Sequence, residues 1–280
     1  MTPPRRGPSR RPGPPNKAGF TPRTPSKRSL GGEQVEGRQA VRELLLARRR
    51  PVRDVWLAEG VETSLILTEI RDLALDARVP VRTVSRGKLA AEAGTEAPQG
   101  VLAHAAPLPE VELADLVARR KGGRPPFLIA VDGVTDPHNL GALVRTAESA
   151  GATGVVLPRH RAAHVTPAVA KAAAGAVEYL PISVVSGLPA ALSELKQAGV
   201  WTVGLDAEAN QPVFGLELAV EPVCLVFGAE GRGLARLVRQ RCDALVSIPQ
   251  LGRLASLNVA AAGAVACFEV ARQRDMTQTD

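Results

Sequence analysis

The stretch DPHNLGALVRTAESAGATGVVLP, residues 136–158, combines a loop, a helix and a strand. Apolar residues in its centre recur three and four positions apart, at Leu140, Leu143, Val144, Ala147 and Ala150. The closing run GVVLP is continuously apolar, which is typical of a strand that is buried on both faces. We therefore expect a helix that packs on one face against a sheet and leads directly into one of its strands.

Two polar residues of this helix need a separate explanation. Asn139 follows Pro137 at the start of the helix and is a candidate N-cap. Arg145 lies off the apolar stripe, on the same flank as Gly141 and Glu148. An Arg145–Glu148 ion pair would contribute only about a few tenths of a kcal/mol to stability. The stretch alone leaves two interpretations open for Arg145, a surface ion pair or a functional arginine.

Apolar runs alternate with helical patterns from residue 127 onward. The runs cover 127–132, 154–158, 178–185, 200–206, 223–228 and 244–249. Near-continuous apolar strands that alternate with helices indicate a parallel sheet covered on both faces. The predicted fold class is therefore α/β. In such sheets the ligand site lies in the loops at the carboxyl ends of the strands.

Three loops that follow predicted strands combine glycines with polar residues. They are DGVTDPHNLG (132–141), FGAEGRGL (227–234) and IPQLGRLASLNVAAAG (248–263). Each has a plain structural interpretation, because glycines form turns at strand ends and Ser256 is an ordinary N-cap for a helix opening at 256–258. The spacing of Gly228, Gly231 and Gly233 is not that of a dinucleotide-binding fingerprint. No single loop decides between a structural and a functional role.

Composition and pattern divide the chain into four segments. Residues 1–30 hold eight prolines and eight basic residues without an acid, so we predict a disordered basic tail. Residues 31–107 are predicted to form a small α/β unit, and residues 108–124 have the composition of a linker. Residues 125–275 form the larger α/β domain. The elements predicted in the small unit are helices at 39–49 and 63–78 and strands at 52–59, 79–85 and 99–107.

The formal net charge of +7 comes from the tail. Residues 1–30 contribute +8, residues 31–124 contribute +1 and residues 125–280 contribute −2. A basic arm attracts phosphates in a salt-dependent way, but the same composition suits a solubilising leader. An aromatic content of 3% argues against aromatic stacking platforms for single-stranded RNA.

The cysteines and the apolar stretches bear on location and metal binding. The chain has three scattered cysteines, Cys224, Cys242 and Cys267. Their spacing suits neither a zinc site nor a disulfide framework, which indicates a reducing, cytoplasmic location. No signal peptide is visible, and the longest apolar stretch, 254–271, contains Ser256 and Asn258 and is a poor membrane span. The sequence predicts no metal site and no membrane association.

Taken together, the three loops resemble the three motifs of the SpoU (TrmH-like) family of SPOUT RNA methyltransferases. The first motif, N-x-G-x-x-x-R-x-A, is matched by NLGALVRTAESAGA, the second by LVFGAEGRGL and the third by IPQLGRLASLNVAAA. The resemblance covers residues 127–272. Residues 31–107, with GRQAVRELL and QGVLAHAAP, are similar to the ribosomal-protein-like RNA-binding domain of the rRNA-modifying members.

The resemblance implies a fold, a cofactor and an assembly. The C-terminal domain is expected to form an α/β-knot, a deep trefoil knot that is an exception among protein folds. The knot would hold S-adenosylmethionine, without a metal, and the residues implied to contact it are Gly228, Gly231, Ile248 and Leu257. The family is dimeric, with RNA bound across both subunits. A homodimer would also bury the predicted helix 256–272, which is apolar nearly all round.

The reaction implied by the resemblance is methyl transfer to a ribose 2′-hydroxyl of RNA. That hydroxyl is a poor nucleophile until it is deprotonated or polarised. Family mechanisms use the arginine that matches Arg145 as a base. Because a guanidinium is a cation and a very weak acid, we expect Arg145 to bind a phosphate and stabilise the developing alkoxide. Asn139 would position Arg145 or the ribose, Glu230 would orient a donor, and Ser256 and Asn258 would line the reacting centre.

The favoured substrate is a guanosine of 23S rRNA, in free RNA or in an assembling large ribosomal subunit, because residues 31–107 match the rRNA-modifying members. Alternatives within the enzyme class are a tRNA 2′-O-methyltransferase and an antibiotic-resistance rRNA methylase. A different class is a non-catalytic RNA-binding assembly factor. The presence of Asn139, Arg145, Ser256 and Asn258 argues against that class.

Overall fold

The structure, a computed structural model, describes residues 30–62, 64–118, 123–160, 165–253 and 256–276. Within these ranges the chain forms a small N-terminal unit with a four-stranded sheet and a C-terminal unit with a seven-stranded sheet. The tail predicted over 1–30 lies outside the described residues except for Leu30. That residue is buried in the same core cluster as Leu108 and Phe127 and so belongs to the core of the C-terminal unit.

The N-terminal unit has a mixed sheet. Its described elements are β1 (Gln34–Glu36), α1 (Arg38–Ala47), β2 (Val52–Ala58), α2 (Leu65–Asp76), β3 (Val81–Val84), α3 (Arg86–Glu92) and β4 (Val101–Ala105). The sheet order is β1-β4-β2-β3, with β4 antiparallel to both neighbours and β2 parallel to β3. The five elements predicted here are confirmed with small shifts at their ends. Strand β1 and helix α3 were not predicted, because such short segments show no clear period.

The C-terminal unit is built on a parallel sheet. Its described elements are α4 (Leu113–Ala118), β5 (Phe127–Asp132), α5 (Pro137–Ser149), β6 (Gly154–Pro158), α6 (Pro167–Ala172), β7 (Ile182–Val185), α7 (Leu188–Gln197), β8 (Trp201–Leu205), β9 (Gln211–Pro212), β10 (Val223–Gly228), α8 (Arg236–Arg241), β11 (Ala244–Ser247) and α9 (Val259–Met276), with 3-10 turns at Ala176–Glu178 and Glu217–Val220. The strand order is β7-β6-β5-β10-β8-β11-β9, and each pairing is parallel. This confirms the predicted α/β class. The knot, which depends on the path of the chain and not on strand order, stays a prediction.

Helix α5 begins as its sequence predicts but is capped by a different residue. Asp136 is the N-cap, and its side chain accepts a hydrogen bond from the backbone nitrogen of His138 at 3.0 Å. The prediction that Asn139 caps this helix is therefore wrong. Pro137 occupies the first turn, where its missing N–H costs nothing. The apolar stripe is buried as predicted: Leu140, Leu143, Val144 and Ala147.

Helix α9 begins at Val259, later than the predicted opening at Ser256. Asn258 caps it, because its side-chain oxygen accepts from the backbone nitrogen of Ala260 at 2.9 Å. One row of the helix is exposed in the single chain and includes Ala261 and Phe268. Neither α9 nor any other helix in the described ranges is long and apolar enough to cross a membrane.

The segment 108–124 is packed in its first part. Leu113 and Leu116 of α4 are buried against the sheet, and the backbone nitrogen of Val111 donates to the carbonyl oxygen of Ile182 at 3.0 Å. Residues 108–118 therefore belong structurally to the C-terminal unit, although their composition is that of a linker. Residues 119–122 lie outside the described residues.

A buried ion pair joins the two units. Nε and Nη2 of Arg50 donate to the two carboxylate oxygens of Glu178 at 2.9 and 2.6 Å, and the side chains are 3% and 1% exposed. Nη1 of Arg50 also donates to the carbonyl oxygens of Gly32, at 2.6 Å, and Ala106. Both charges are removed from water and satisfied only while the two units are docked. The ion pair therefore fixes the N-terminal unit against the C-terminal unit.

Replacing Glu178 by Gln should lower the free energy of unfolding by about 3–5 kcal/mol, because it leaves the buried Arg50 without its counter-charge. Urea denaturation measures this loss. The double variant Arg50→Met/Glu178→Leu removes both charges and should recover most of it. As a control, Asp76→Asn breaks the exposed Arg48–Asp76 pair and should cost less than about 1 kcal/mol. A loss for Glu178→Gln no larger than this control would contradict the account.

Candidate active site

The three polar loops open at one edge of the parallel sheet. Strands β5 and β10 are adjacent, and their register pairs Asp132 with Gly228 at the carboxyl ends of both strands. Strand β8 lies next to β10, and β11 lies next to β8. Because parallel strands end at the same edge, the loops after β5, β10 and β11 converge there. The sheet topology thus brings together segments that are far apart along the chain.

Three predicted residues, one from each loop, form a hydrogen-bonded cluster. Nδ2 of Asn139 donates to Oε1 of Glu230 at 2.9 Å. Nδ2 of Asn258 donates to the same Glu230 oxygen at 2.6 Å and to Oδ1 of Asn139 at 2.9 Å. The Glu230 carboxylate therefore accepts from two amides and orients both. We call these three residues the amide–carboxylate cluster.

Arg145 lies on α5, six positions after Asn139, with an exposed side chain. Arg145 and Glu148 are both described, and no ion pair between them is found, so the structure does not support the surface-pair interpretation. No hydrogen bond of the Arg145 side chain is found within the described ranges. Its guanidinium is thus available to an anion that approaches the helix.

A cavity of about 370 Å³ lies beside the amide–carboxylate cluster. Its walls include the four residues predicted to contact a cofactor, Gly228, Gly231, Ile248 and Leu257. Glu230 and Ser256 also line it, whereas Asn139, Arg145 and Asn258 are not part of its wall. Within the described ranges, no three His, Cys, Asp or Glu side chains are grouped so that they could hold a metal ion.

A narrow glycine turn forms one wall of this cavity. The backbones of Ala229 and Gly233 exchange two hydrogen bonds, of 3.1 and 2.8 Å. A Cβ atom on Gly228 would lie 2.2 Å from the carbonyl carbon of Gly233, so a side chain does not fit there. Gly231 has a φ of +75°, which glycine adopts without strain. At Gly228 and Gly231 the turn therefore presents backbone groups to the cavity.

Sequence reasoning did not select three charged residues at this edge. Oδ2 of Asp132 accepts from the backbone nitrogen of Ala235 at 2.7 Å and ties β5 to the end of the glycine turn. Asp206 and Arg239 both line the cavity and form an ion pair of 2.5 Å. Both aspartates follow a buried apolar run directly, which is the position where parallel sheets carry their ligand sites. That signal was present in the sequence.

Family models match both units of the chain. Residues 126–268 match the model of the SpoU rRNA Methylase family. Residues 34–111 match the model described as RNA 2′-O ribose methyltransferase substrate binding. The first match covers the strands and loops that build the cavity and the amide–carboxylate cluster, and the second covers the four-stranded sheet.

Relatives of similar length were found over most of the chain. The 23S rRNA (guanosine-2′-O-)-methyltransferase RlmB of Pseudomonas putida is 41% identical over 87% of this chain and 98% of its own length. The putative TrmH family tRNA/rRNA methyltransferase YacO of Bacillus subtilis is 37% identical over 87% of this chain and 96% of its own.

A similar solved structure is that of the SpoU methyltransferase AviRb from Streptomyces viridochromogenes in complex with the cofactor AdoMet. It has a TM-score of 0.72 and 26% identity, and the match covers 87% of this chain and 90% of that one. The matches in sequence and in structure extend over both units. The chain belongs to the SpoU rRNA methylase family of RNA 2′-O-methyltransferases.

Proposed function

We propose that this protein transfers a methyl group from S-adenosylmethionine to the ribose 2′-hydroxyl of a guanosine in 23S rRNA. The observation that carries the proposal is the amide–carboxylate cluster beside a cavity of about 370 Å³, with the exposed Arg145 on the same helix as Asn139. The RlmB relative is named for this reaction. The relatives are bacterial rRNA-modifying enzymes, so a cytoplasmic location belongs to the proposal.

The cavity residues fit S-adenosylmethionine. A volume of about 370 Å³ falls within the range of roughly 300–1,000 Å³ for small-molecule sites. Gly228 and Gly231 would hold the cofactor through the backbone of the glycine turn, with Ile248 and Leu257 opposite. When bound, S-adenosylmethionine would supply a methyl group activated by its positively charged sulfur; transfer of that methyl to the ribose oxygen leaves a neutral thioether, and the hydroxyl proton passes to water. The AviRb neighbour was solved with AdoMet, which supports this assignment.

Arg145 would act on the RNA. Its guanidinium is a fork of N–H donors that matches a phosphate in geometry and charge. As a cation, it would bind the phosphate next to the reacting ribose and stabilise negative charge on the 2′-oxygen. Its exposure on α5 leaves it accessible to a large substrate.

The amide–carboxylate cluster would position the reacting ribose. Glu230 accepts a hydrogen bond from the side-chain nitrogens of both Asn139 and Asn258, so both amides are oriented before the RNA binds. Preorganised groups of this kind lower the barrier because they need no reorientation during the reaction. Ser256, two positions before Asn258 in the sequence, lines the cavity and would supply a hydroxyl at the reacting centre.

We also propose that the protein acts as a homodimer. The exposed row of α9 contains Phe268, which is 51% exposed. Phe214, 52% exposed, lies close by, since the backbone nitrogen of the next residue, Gly215, donates to Glu269 at 2.9 Å. Two large exposed aromatic side chains in neighbouring segments favour an interface. An assembling large ribosomal subunit is proposed as a second form of the RNA substrate.

The reaction is tested with purified protein, radiolabelled S-adenosylmethionine, and separate 23S rRNA, assembling large subunits and tRNA. Label on one guanosine of 23S rRNA, mapped as an alkali-resistant 2′-O-methyl group, is the expected result. Label on tRNA instead would make tRNA the substrate, an alternative that the name of the YacO relative also allows. Tight binding of the cofactor without transfer to any of these RNAs would overturn the proposal.

Arg145→Ala should lower kcat for methyl transfer by about 10²–10³-fold, the usual cost of removing one donor that stabilises an oxyanion. The Kd for S-adenosylmethionine should stay within about twofold, because Arg145 does not line the cavity. Arg145→Lys keeps the positive charge but lacks the planar set of guanidinium donors, so it should recover part of the kcat lost in Arg145→Ala. Ser149→Ala, an exposed position on the same helix, is the control. A large loss of cofactor affinity in Arg145→Ala would refute the assigned role.

Phe268→Glu should convert the dimer into a monomer, because it places a charge in the apolar centre of the proposed interface. Sedimentation equilibrium measures the change in mass. Leu75→Glu is the matched control, since Leu75 is 77% exposed on α2 of the other unit. The homodimer proposal fails if the unmodified protein sediments as a monomer at micromolar concentration.

A further inference from the structure

A second cavity, of about 330 Å³, lies in the N-terminal unit. Its floor is apolar and includes Val61, Leu89 and Pro98. Its rim is polar and carries Arg38, Arg86 and Gln99. We call it the N-terminal cavity. The proposed methyl transfer uses none of these residues.

The two arginines of the rim are held in place by backbone and hydroxyl acceptors. Nε and Nη2 of Arg86 donate to the carbonyl oxygens of Glu59, at 3.2 Å, and Gly60, at 2.5 Å. Nε and Nη1 of Arg38 donate to the carbonyl oxygen of Gln99, at 3.2 Å, and to Ser64, at 3.4 Å. A guanidinium has five N–H donors. Within the described ranges each side chain uses two of them, which leaves the others for a ligand.

The turn that closes this cavity is constrained. Gln99 has a φ of +57°, which is uncommon for a residue with a side chain, and its Oε1 accepts from the backbone nitrogen of Arg38 at 3.0 Å. A Cβ atom on the next residue, Gly100, would lie 2.6 Å from Cγ2 of Val61. Strained backbone of this kind persists where the surrounding contacts hold it, and it is frequent at binding sites. The rim is thus formed before a ligand binds.

The N-terminal cavity has a fixed position relative to the candidate active site. Lys171 of α6 donates to Ala97 and, at 3.4 Å, to Thr95, in the segment that leads to the closing turn. Helix α6 packs closely on α5, since a Cβ atom on Gly141 would lie 2.5 Å from the Cβ of Ala172. Helix α5 carries Arg145. A chain of packed elements therefore connects the cavity rim with the arginine of the active site.

We propose that the N-terminal cavity binds one unstacked nucleotide of the RNA substrate, with the base on the apolar floor and the phosphate on Arg38 and Arg86. This inference rests on the proposed function, because it names the part of the substrate that this unit holds. Proteins read single-stranded RNA by splaying bases out and stacking them on aromatic side chains or guanidinium planes, and concave ligand sites are lined mostly by apolar side chains. Arginine forks bind phosphate through paired hydrogen bonds.

The rim chemistry orients the nucleotide. Glu62 is the one carboxylate among the described residues that line the cavity, and it repels a phosphate. It would accept a hydrogen bond from an exocyclic amino group of the base instead. The phosphate therefore lies on the side of Arg38 and Arg86. Since the two units are docked, a nucleotide held here sets which ribose reaches Arg145.

The test fills the cavity without removing a charge. Ala90 lines the cavity on α3 and has an exposed side chain, so Ala90→Phe blocks the floor. Its neighbour Ala91 is exposed on the same helix and is not part of the cavity wall, so Ala91→Phe is the matched control. Filter binding of a 23S rRNA transcript to the full chain should show a Kd raised about tenfold or more for Ala90→Phe only. Thermal unfolding verifies that both variants fold.

A second variant tests the phosphate. Arg86→Gln should weaken binding and reduce the slope of log K against log salt by about one, whereas Ala90→Phe should leave that slope unchanged. In both variants the Kd for S-adenosylmethionine should stay as in the unmodified protein, because neither residue lines the cofactor cavity. Binding by Ala90→Phe equal to that of Ala91→Phe would overturn the inference. The proposed function fails by a separate result, binding of RNA by the unmodified protein without methyl transfer.

Discussion

The amide of Asn258 takes part in two structural tasks at once. Its oxygen accepts from the backbone nitrogen of Ala260 and starts α9, while its nitrogen donates to Asn139 and Glu230. An amide can do this because its oxygen accepts and its NH2 group donates. An aspartate would set a second negative charge against Glu230, and an alanine would leave the helix uncapped. The start of the last helix and the assembly of the three loops therefore depend on one side chain.

The fold could be predicted largely from periodicity, and the site could not. The apolar runs at 127–132, 154–158 and 223–228 have the same bounds as the strands in the structure, because a strand buried on both faces is apolar along its whole length. The caps predicted at Asn139 and Ser256 were wrong, because a cap depends on which partner a side chain finds. Asn139 bonds to Glu230, 91 positions away, and leaves the cap of α5 to Asp136. The candidate site residues came from the motif resemblance, and the structure adds the hydrogen bonds that join three of them.

The docking of the two units could not be predicted either. Arg50 and Glu178 are 128 positions apart, and neither lies in a motif. Their ion pair, the segment 108–118 packed on the C-terminal unit and the contact of Lys171 with Ala97 all restrict relative motion. Because the two units are held together, the proposed RNA contacts of the N-terminal unit affect what reaches the active site. A substrate held at the N-terminal cavity meets the active site at a set distance, so RNA selection and methyl transfer are coupled through rigid packing.

The central claim is that the three motif loops act as one catalytic unit. A double-mutant cycle on the single-turnover rate of methyl transfer tests it most directly, with Asn139→Ala and Asn258→Ser, the latter keeping an acceptor to cap α9. If the cluster acts as a unit, the double variant should be about as slow as the slower single variant. If the two losses multiply, Asn139 and Asn258 act independently and the claim is contradicted.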